Sequence, residues 1–276
     1  LYTAAITEPG VLTNESVAAP TNQGINDGIP SVNRETNPLS VLLDDSETFN
    51  LSTDALNLVV SADGGDVVSA SLPKFPVRLD TPNQPFRLLE NNNLRRYVAQ
   101  SGLIGPDGID ASGNRARYAS QGVIDNGDGS HTLTLAWMGN DPLGMQVYKR
   151  FTAHDDRYDV NVSFDIRNDG SSIASVTSFA QLKRDNTQAP DGNTGFGVSP
   201  YLGAALTQPD ERYTKLSFSD LNDEPFSKRL PAGWVAILQH YFVSAWIPSQ
   251  QASHDYFGSQ LSNGDNVIGY KNQNID

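Results

Sequence analysis

The clearest regularity along the chain is a period of two. Tyr158, Val160, Val162, Phe164 and Ile166 are separated by Asp159, Asn161, Ser163 and Asp165, the pattern of a strand with one wet and one buried face. Thr132 to Trp137 alternates as cleanly, with Leu133, Leu135 and Trp137 on one side. Gln146 to Phe151 alternates less well but is still strand-like. Phe49 and Leu51, then Ala55 to Val60, bracket the turn-like Ser52-Thr53-Asp54 and predict a hairpin or two consecutive strands. Asp63-Gly64-Gly65-Asp66 reads as a turn and Val67 to Leu72 as the strand after it. Ile173 to Leu182 reads as another, following the turn Asn168-Asp169-Gly170. Pro73, Pro76, Pro82 and Pro85 argue against a central strand or a helix through the stretch they occupy.

Two late runs are apolar on both faces: Trp234 to Leu238, and Tyr241 to Ile247 apart from Ser244. Strands covered on both sides read this way, which places the pair at the centre of the structure. Their β-branched and aromatic content, bounded by Gly233 and Pro248, favours strands over a buried helix. Helical periodicity is sustained almost nowhere; Thr207 to Arg212 is the one candidate for a short turn of helix. No internal repeat is found. Many short strands separated by Asn/Asp-Gly turns predict an all-β domain of antiparallel sheets stacked as a sandwich.

From Leu1 to about Asp45 no period holds, and Pro, Gly, Asn and Thr are scattered throughout. Such a segment buries too little apolar surface to offset the entropy of ordering, so a disordered or extended tether is expected over residues 1–46. Leu39 to Leu43 is the run within it suited to docking on the domain. The domain proper is expected over residues 47–276.

Composition narrows the classes further. Net charge is −13, from 19 basic and 32 acidic residues, and such a surface repels phosphate backbones and anionic lipid headgroups. With no Cys, disulfides, thiolate metal sites and Cys nucleophiles are excluded. The most apolar window, Trp234 to Ile247, is interrupted by Gln239 and His240 and falls short of a membrane span. Leu1-Tyr2-Thr3 opens no signal peptide, so the chain as given is expected to be soluble.

The chemistry-bearing patterns are sparse. There is no Gly-x-Ser-x-Gly elbow, phosphate loop or His-Glu-x-x-His, and Gly195-Phe196-Gly197 lacks the third Gly of a dinucleotide fingerprint. Asp125-Asn126-Gly127-Asp128-Gly129 has a faint likeness to a calcium loop, but its twelfth position is Ala136 where a bidentate Glu is needed. A hairpin turn between Ile124 and Thr132 is the better reading. His131, His154, His240 and His254 have no metal-ligand spacing to one another. His240 could act as a general acid in a cleft, although a satisfied, partly buried His is the commoner state. Asp155-Asp156 reads as a solvated turn. Trp234, Tyr241, Phe242 and Trp246 read as core packing in preference to the lining of a ligand groove. The sequons at Asn14, Asn50 and Asn161 are expected by chance in an Asn-rich chain. No catalytic, cofactor-binding or metal site is assigned.

One long stretch carries a resemblance. "GWVAILQHYFVSAWIP" (Gly233 to Pro248) closely resembles the signature of the periplasmic domain of Gram-negative YidC-type membrane protein insertases. "GGDVVSASLPKFP" (Gly64 to Pro76), "NQPFRLLE" (Asn83 to Glu90), "YVAQSGLIG" (Tyr97 to Gly105) and "VIGYKNQ" (Val267 to Gln273) agree with the same family in the same order. The likeness covers about Glu47 to Gln273. It implies a β-supersandwich, the fold of galactose mutarotases, set between the first two transmembrane helices at the periplasmic face of the bacterial inner membrane. It also implies a non-catalytic accessory role, with no enzyme activity and no cofactor, and contacts to the Sec translocon's SecD–SecF components and to nascent membrane proteins. The family's domain continues into a further strand and a helix, which this chain is expected to lack. Two other functions compete: a carbohydrate-binding or epimerase-like protein, suggested by fold analogy, and a chaperone-like binder of extended polypeptide.

Overall fold

The alternating segments pair into three antiparallel sheets in the computed structural model, which describes residues 27–30, 47–111, 114–139, 144–187, 201–239 and 241–272. The largest sheet has nine strands. In spatial order they are β1 (Thr48–Ser52), β2 (Asn57–Ser61), β3 (Val67–Pro76), β4 (Pro85–Asn91), β5 (Arg96–Ile104), β10 (Thr177–Arg184), β17 (Asn266–Lys271), β16 (Ser253–Gln260) and β13 (Phe226–Pro231). A four-stranded meander follows β5 in the chain: β6 (Tyr118–Asp125), β7 (Ser130–Trp137), β8 (Met145–His154) and β9 (Val160–Asn168). The third sheet runs β12 (Thr214–Ser217), β11 (Leu202–Leu206), β14 (Val235–Gln239) and β15 (Phe242–Trp246).

Both four-stranded sheets lie on one face of the nine-stranded sheet. Leu133, Leu135 and Phe151 from one, and Leu206, Val235 and Ile237 from the other, share a single core with Leu51, Leu58, Val60, Leu182 and Ile268 of the large sheet. The alternation read from sequence is therefore the alternation of burial. Along β8, Met145, Val147, Lys149, Phe151 and Ala153 point inward while the residues between them do not. The turns also stand where expected, with β1–β2 forming a hairpin and residues 126–129 joining β6 to β7. The sandwich expected from sequence is the observed architecture.

Several local expectations are corrected. No central strand or helix runs through Pro73 to Pro76, as expected, but β3 continues through them as an edge extension. It tolerates them because β2 stops pairing with it at Ser71, so beyond that point only β4 lies alongside and a missing N–H costs nothing on the free side. The segment 207–213 forms bends without a helix, and the helix is instead α1 (Phe218–Asp223). Its start is a reciprocal cap, in which Ser217 Oγ accepts the Asp220 N–H and Asp220 Oδ2 accepts the Ser217 N–H. Ile173 lies outside β10, 79% exposed. The late apolar pair is central only in part. β14 sits between β11 and β15 and is buried, whereas β15 is an edge strand whose Val243 is 54% exposed. Among the described residues of the expected tether, 27–30 pack on the domain; Leu39 to Leu43 lie outside the described residues.

These placements separate two substitutions that hydropathy alone would rank together. Leu135→Ala should lower unfolding stability by about 2–5 kcal/mol, as for a fully buried aliphatic side chain. Val243→Ala on the edge strand should change it by no more than about 0.5 kcal/mol. Urea titration of the two variants checks the assignment, and equal losses would contradict it.

Candidate functional site: a cleft between two strand edges

Two four-stranded sheets cover nine strands only if a seam is left between them. The edge strand β9 borders the seam on one side and the edge strand β15 on the other. Between them lies an open cleft of about 440 Å³. Ala99 and Leu182 of the large sheet lie on its floor, Val160 and Val162 on one wall, Val243 and Trp246 on the other. The row from Tyr158 to Ile166, expected to be buried, is instead half-buried, and Tyr158 precedes the strand at 48% exposure. Val160 and Val162 border this open seam while packing in part on the main core, and Phe164 and Ile166 pack in part beside Leu103 of the large sheet.

Aromatic contacts define the cleft's ends. At one end Phe75, on the proline-bearing extension of β3, packs edge-on against both Tyr158 and Phe242, with ring centroids 5.8 and 6.1 Å apart. Phe242 in turn stacks on Phe86 at 4.1 Å. On the far wall the Trp246 indole N–H donates to the Gln181 carbonyl at 3.0 Å, tying β15 to the floor. A second hollow of about 240 Å³ continues along β9 past Phe164 and Tyr270. Phe242 and Trp246 thus pack on the core, and Tyr241 is 74% exposed. Of these aromatics, Trp246 lines the cleft as well.

Beneath the meander lies a buried polar network that the alternation obscured. Lys149 occupies an inward position of β8 and is fully buried. Its ammonium donates to the carbonyls of Gly64 and Ser101 at 2.9 and 2.8 Å and stands 5.4 Å from the rings of Phe151 and Phe164. Arg115 pairs with Asp66 at 2.5 Å and with Asp110 at 2.9 Å. The other Asp66 oxygen accepts from Gln100 Nε2 at 2.7 Å, and Asp110 accepts the backbone N–H groups of Leu103 and Ala116. The Gly64-Gly65 turn is glycine for this reason. Both residues have positive φ, and a Cβ on Gly64 would lie 2.2 Å from Arg115 while one on Gly65 would lie 2.9 Å from Lys149.

A second polar knot closes one end of the large sheet. Arg95 Nη2 and Arg184 Nη1 both donate to Gln239 Oε1, with the Arg184 guanidinium 4.9 Å over the Tyr97 ring. Gln239, which looked like an interruption of an apolar run, is the shared acceptor of two buried cations.

The remaining polar candidates stay apart. His131 contacts Asp155 at 3.2 Å on a part-exposed surface. His254 is held between the Ser249 carbonyl and Asn272 Oδ1. His240 and Gly195-Phe196-Gly197 lie outside the described residues. Among the described residues no cluster of His, Asp and Glu could hold a metal ion.

Comparison with known proteins places this geometry. A solved structure described as a galactose mutarotase-like protein from Lactobacillus casei matches with a TM-score of 0.51, covering 82% of this chain and 87% of that one at 10% identity. The fold is thus a β-supersandwich of the galactose mutarotase type. The family model for the YidC periplasmic domain matches residues 48–276, and the chain belongs to that family. Membrane protein insertases YidC of Pseudomonas putida strain F1 and Pseudomonas entomophila strain L48 are each 40% identical to it, over 253 and 257 residues. In both cases the match spans 90% of this chain and 45% of the relative, so the chain spans less than half the length of these curated relatives.

The network sets a pH dependence. Burial pushes the Lys149 ammonium down to about 7, against the opposing pull of Asp66. An unfolded lysine keeps its proton to about pH 10.4, so between these limits the unfolded chain binds more protons and stability rises with pH. Burial lowers Lys183 as well, which acts in the same direction. Above about pH 10 the sign reverses. Tyr97 and Tyr270, pushed up to about 12 by burial, stay protonated in the fold while the unfolded chain loses those protons. Unfolding free energy should therefore climb from pH 7 towards 10 and fall beyond, with a slope on the rising side approaching about 1 kcal/mol per pH unit. Lys149→Met should remove most of the rise; an unaltered slope in that variant would exclude Lys149 as its source.

Proposed function

We propose that this domain is a non-catalytic accessory module of a membrane protein insertase at the periplasmic face of the inner membrane. It holds extended segments of nascent membrane proteins and docks on Sec translocon components of the SecD–SecF kind. The observation that carries the reading is the cleft: two unpaired strand edges over an apolar floor offer main-chain donors and acceptors to a strand, and apolar walls to its side chains. Extended, apolar polypeptide is what an insertase handles. The family membership supports the setting.

The non-catalytic part of the proposal rests on how the buried carboxylates are used. Asp66 and Asp110 each have both oxygens engaged by protein donors, and neither is left to act as a general base. A carbohydrate-active reading has support only from the fold, which hosts many unrelated functions.

Titrating 15N-labelled domain with extended apolar peptides should shift amide signals of β9 and β15 and leave those of β13 and β16 in place. Val162→Asp should weaken that binding about tenfold or more while the domain stays folded, since a carboxylate on the wall must be desolvated by an apolar strand. Unchanged spectra at saturating peptide would refute the polypeptide-binding role. Crosslinking from native membranes tests the Sec contact separately; recovery no better than for an unrelated acidic domain would refute it.

A further inference from the structure

The face of the large sheet turned away from the cleft has its own apolar spot. On β10, Leu182 lies on the cleft floor, so its neighbours Phe179, Gln181 and Lys183 alternate to the opposite side. Phe179 there packs with Ile104 and not with the main core. The residue that completes this cluster is Ile29, far upstream in sequence and only 7% exposed.

Two contacts seat the segment around Ile29 on the sheet, and one internal hydrogen bond shapes it. Lys183 Nζ donates to the Asp27 carbonyl at 2.8 Å. Asp27 Oδ1 accepts the Ile29 N–H at 3.1 Å, which folds the segment into a tight local turn. Gly28, at φ +83°, lies so flat on the sheet that a Cβ would stand 2.9 Å from both Leu261 Cδ1 and Val267 Cγ1. A backbone that approaches this closely, in a conformation L side chains avoid, fits a specific seat better than a chance contact.

We propose that the outer face of the large sheet carries a docking site, built from Ile104, Phe179, Lys183, Leu261 and Val267, whose occupant is this chain's own Asp-Gly-Ile-Pro segment at residues 27–30. The site takes a turn with no side chain at its second position and an aliphatic one at its third. It fixes residues 27–30 to the middle of the sheet's back, away from the sheet edge at β1. This assignment is independent of the cleft and stands if the cleft binds nothing.

The chain has no Cys, so a single introduced thiol reports cleanly. In the full chain carrying Ile29→Cys, reaction with a maleimide should be about tenfold or more slower than in the same chain carrying Ser172→Cys at an exposed loop, and should reach the control rate in urea. Adding Gly28→Val to the Ile29→Cys chain should bring its thiol to the control rate with the thermal midpoint of the domain unchanged. Since a thiol is smaller than the side chain it replaces, the unaltered chain supplies a second test: methyl signals of Ile29 should show cross-relaxation with the Phe179 ring. Absence of that cross-relaxation, or control-rate labelling of the folded Ile29→Cys chain with the contact equally absent from the native spectrum, would overturn the site.

Discussion

A nine-stranded twisted sheet cannot be covered by one small sheet, and the molecule answers with two. That covering constraint dictates the rest. The meander closes by hairpins, the third sheet joins two hairpins through a strand of the large sheet, and each meets the large sheet through inward residues, yet neither pairs with the other. The seam therefore exposes backbone edges that natural β proteins ordinarily blunt with charge, proline or bulges. Here the two edges are set across a shared hollow, with Phe75 bridging one end and the Trp246 indole bolting one wall to the floor. An edge placed this way is shielded from casual sheet-to-sheet pairing but remains open to a single extended strand.

What keeps the covering sheets from sliding over the floor is polar. Hydrophobic burial is non-directional, so a Leu and Val interface alone tolerates shifts in register. Lys149 is directional. It fastens β8 to one carbonyl on the Gly64-Gly65 turn and one on β5, while Arg115 reaches the same turn through Asp66. Gln239 does the equivalent work for the third sheet, gathering Arg95 and Arg184. Leaving such a buried group without its partner costs about 1–3 kcal/mol or more, comparable to losing a buried aliphatic side chain. The network thus specifies one relative placement of the layers, and with it the width of the seam.

Much of this was legible in the residues, and what was not has a common cause. A period of two reports that a strand has two unlike faces, so β7 and the β1–β2 and β6–β7 turns were readable directly. It does not report what lies beside the strand. The row on β9 has the pattern of a buried face, but at the strand's start that face borders a gap and is only half covered; the run on β15 reads as interior, but no strand flanks its far side. Pro73 and Pro76 argued against a central strand, and β3 carries them only past the end of β2; local sequence does not reveal where β2 ends, so the edge extension was not legible. Lys149 weakened the apparent alternation of β8 for a similar reason: its inward position is visible only once the carbonyls that accept its protons are in place. The helix α1 was the exception, since Ser217 and Asp220 carry a capping signature that could have been read.

The two faces of β10 bring these threads together. Leu182 helps floor the cleft, and the residues on either side of it, Gln181 and Lys183, face the back. Gln181 gives its carbonyl to Trp246 on the cleft wall and its side-chain amide to Gln100 of the buried network. Lys183 holds the docked upstream segment. One strand therefore supports the candidate polypeptide site, the layer-fixing network and the seat of the N-terminal segment, on opposite sides of a single sheet. With residues 27–30 seated at the back, that seat and the cleft lie on opposite faces of one sheet.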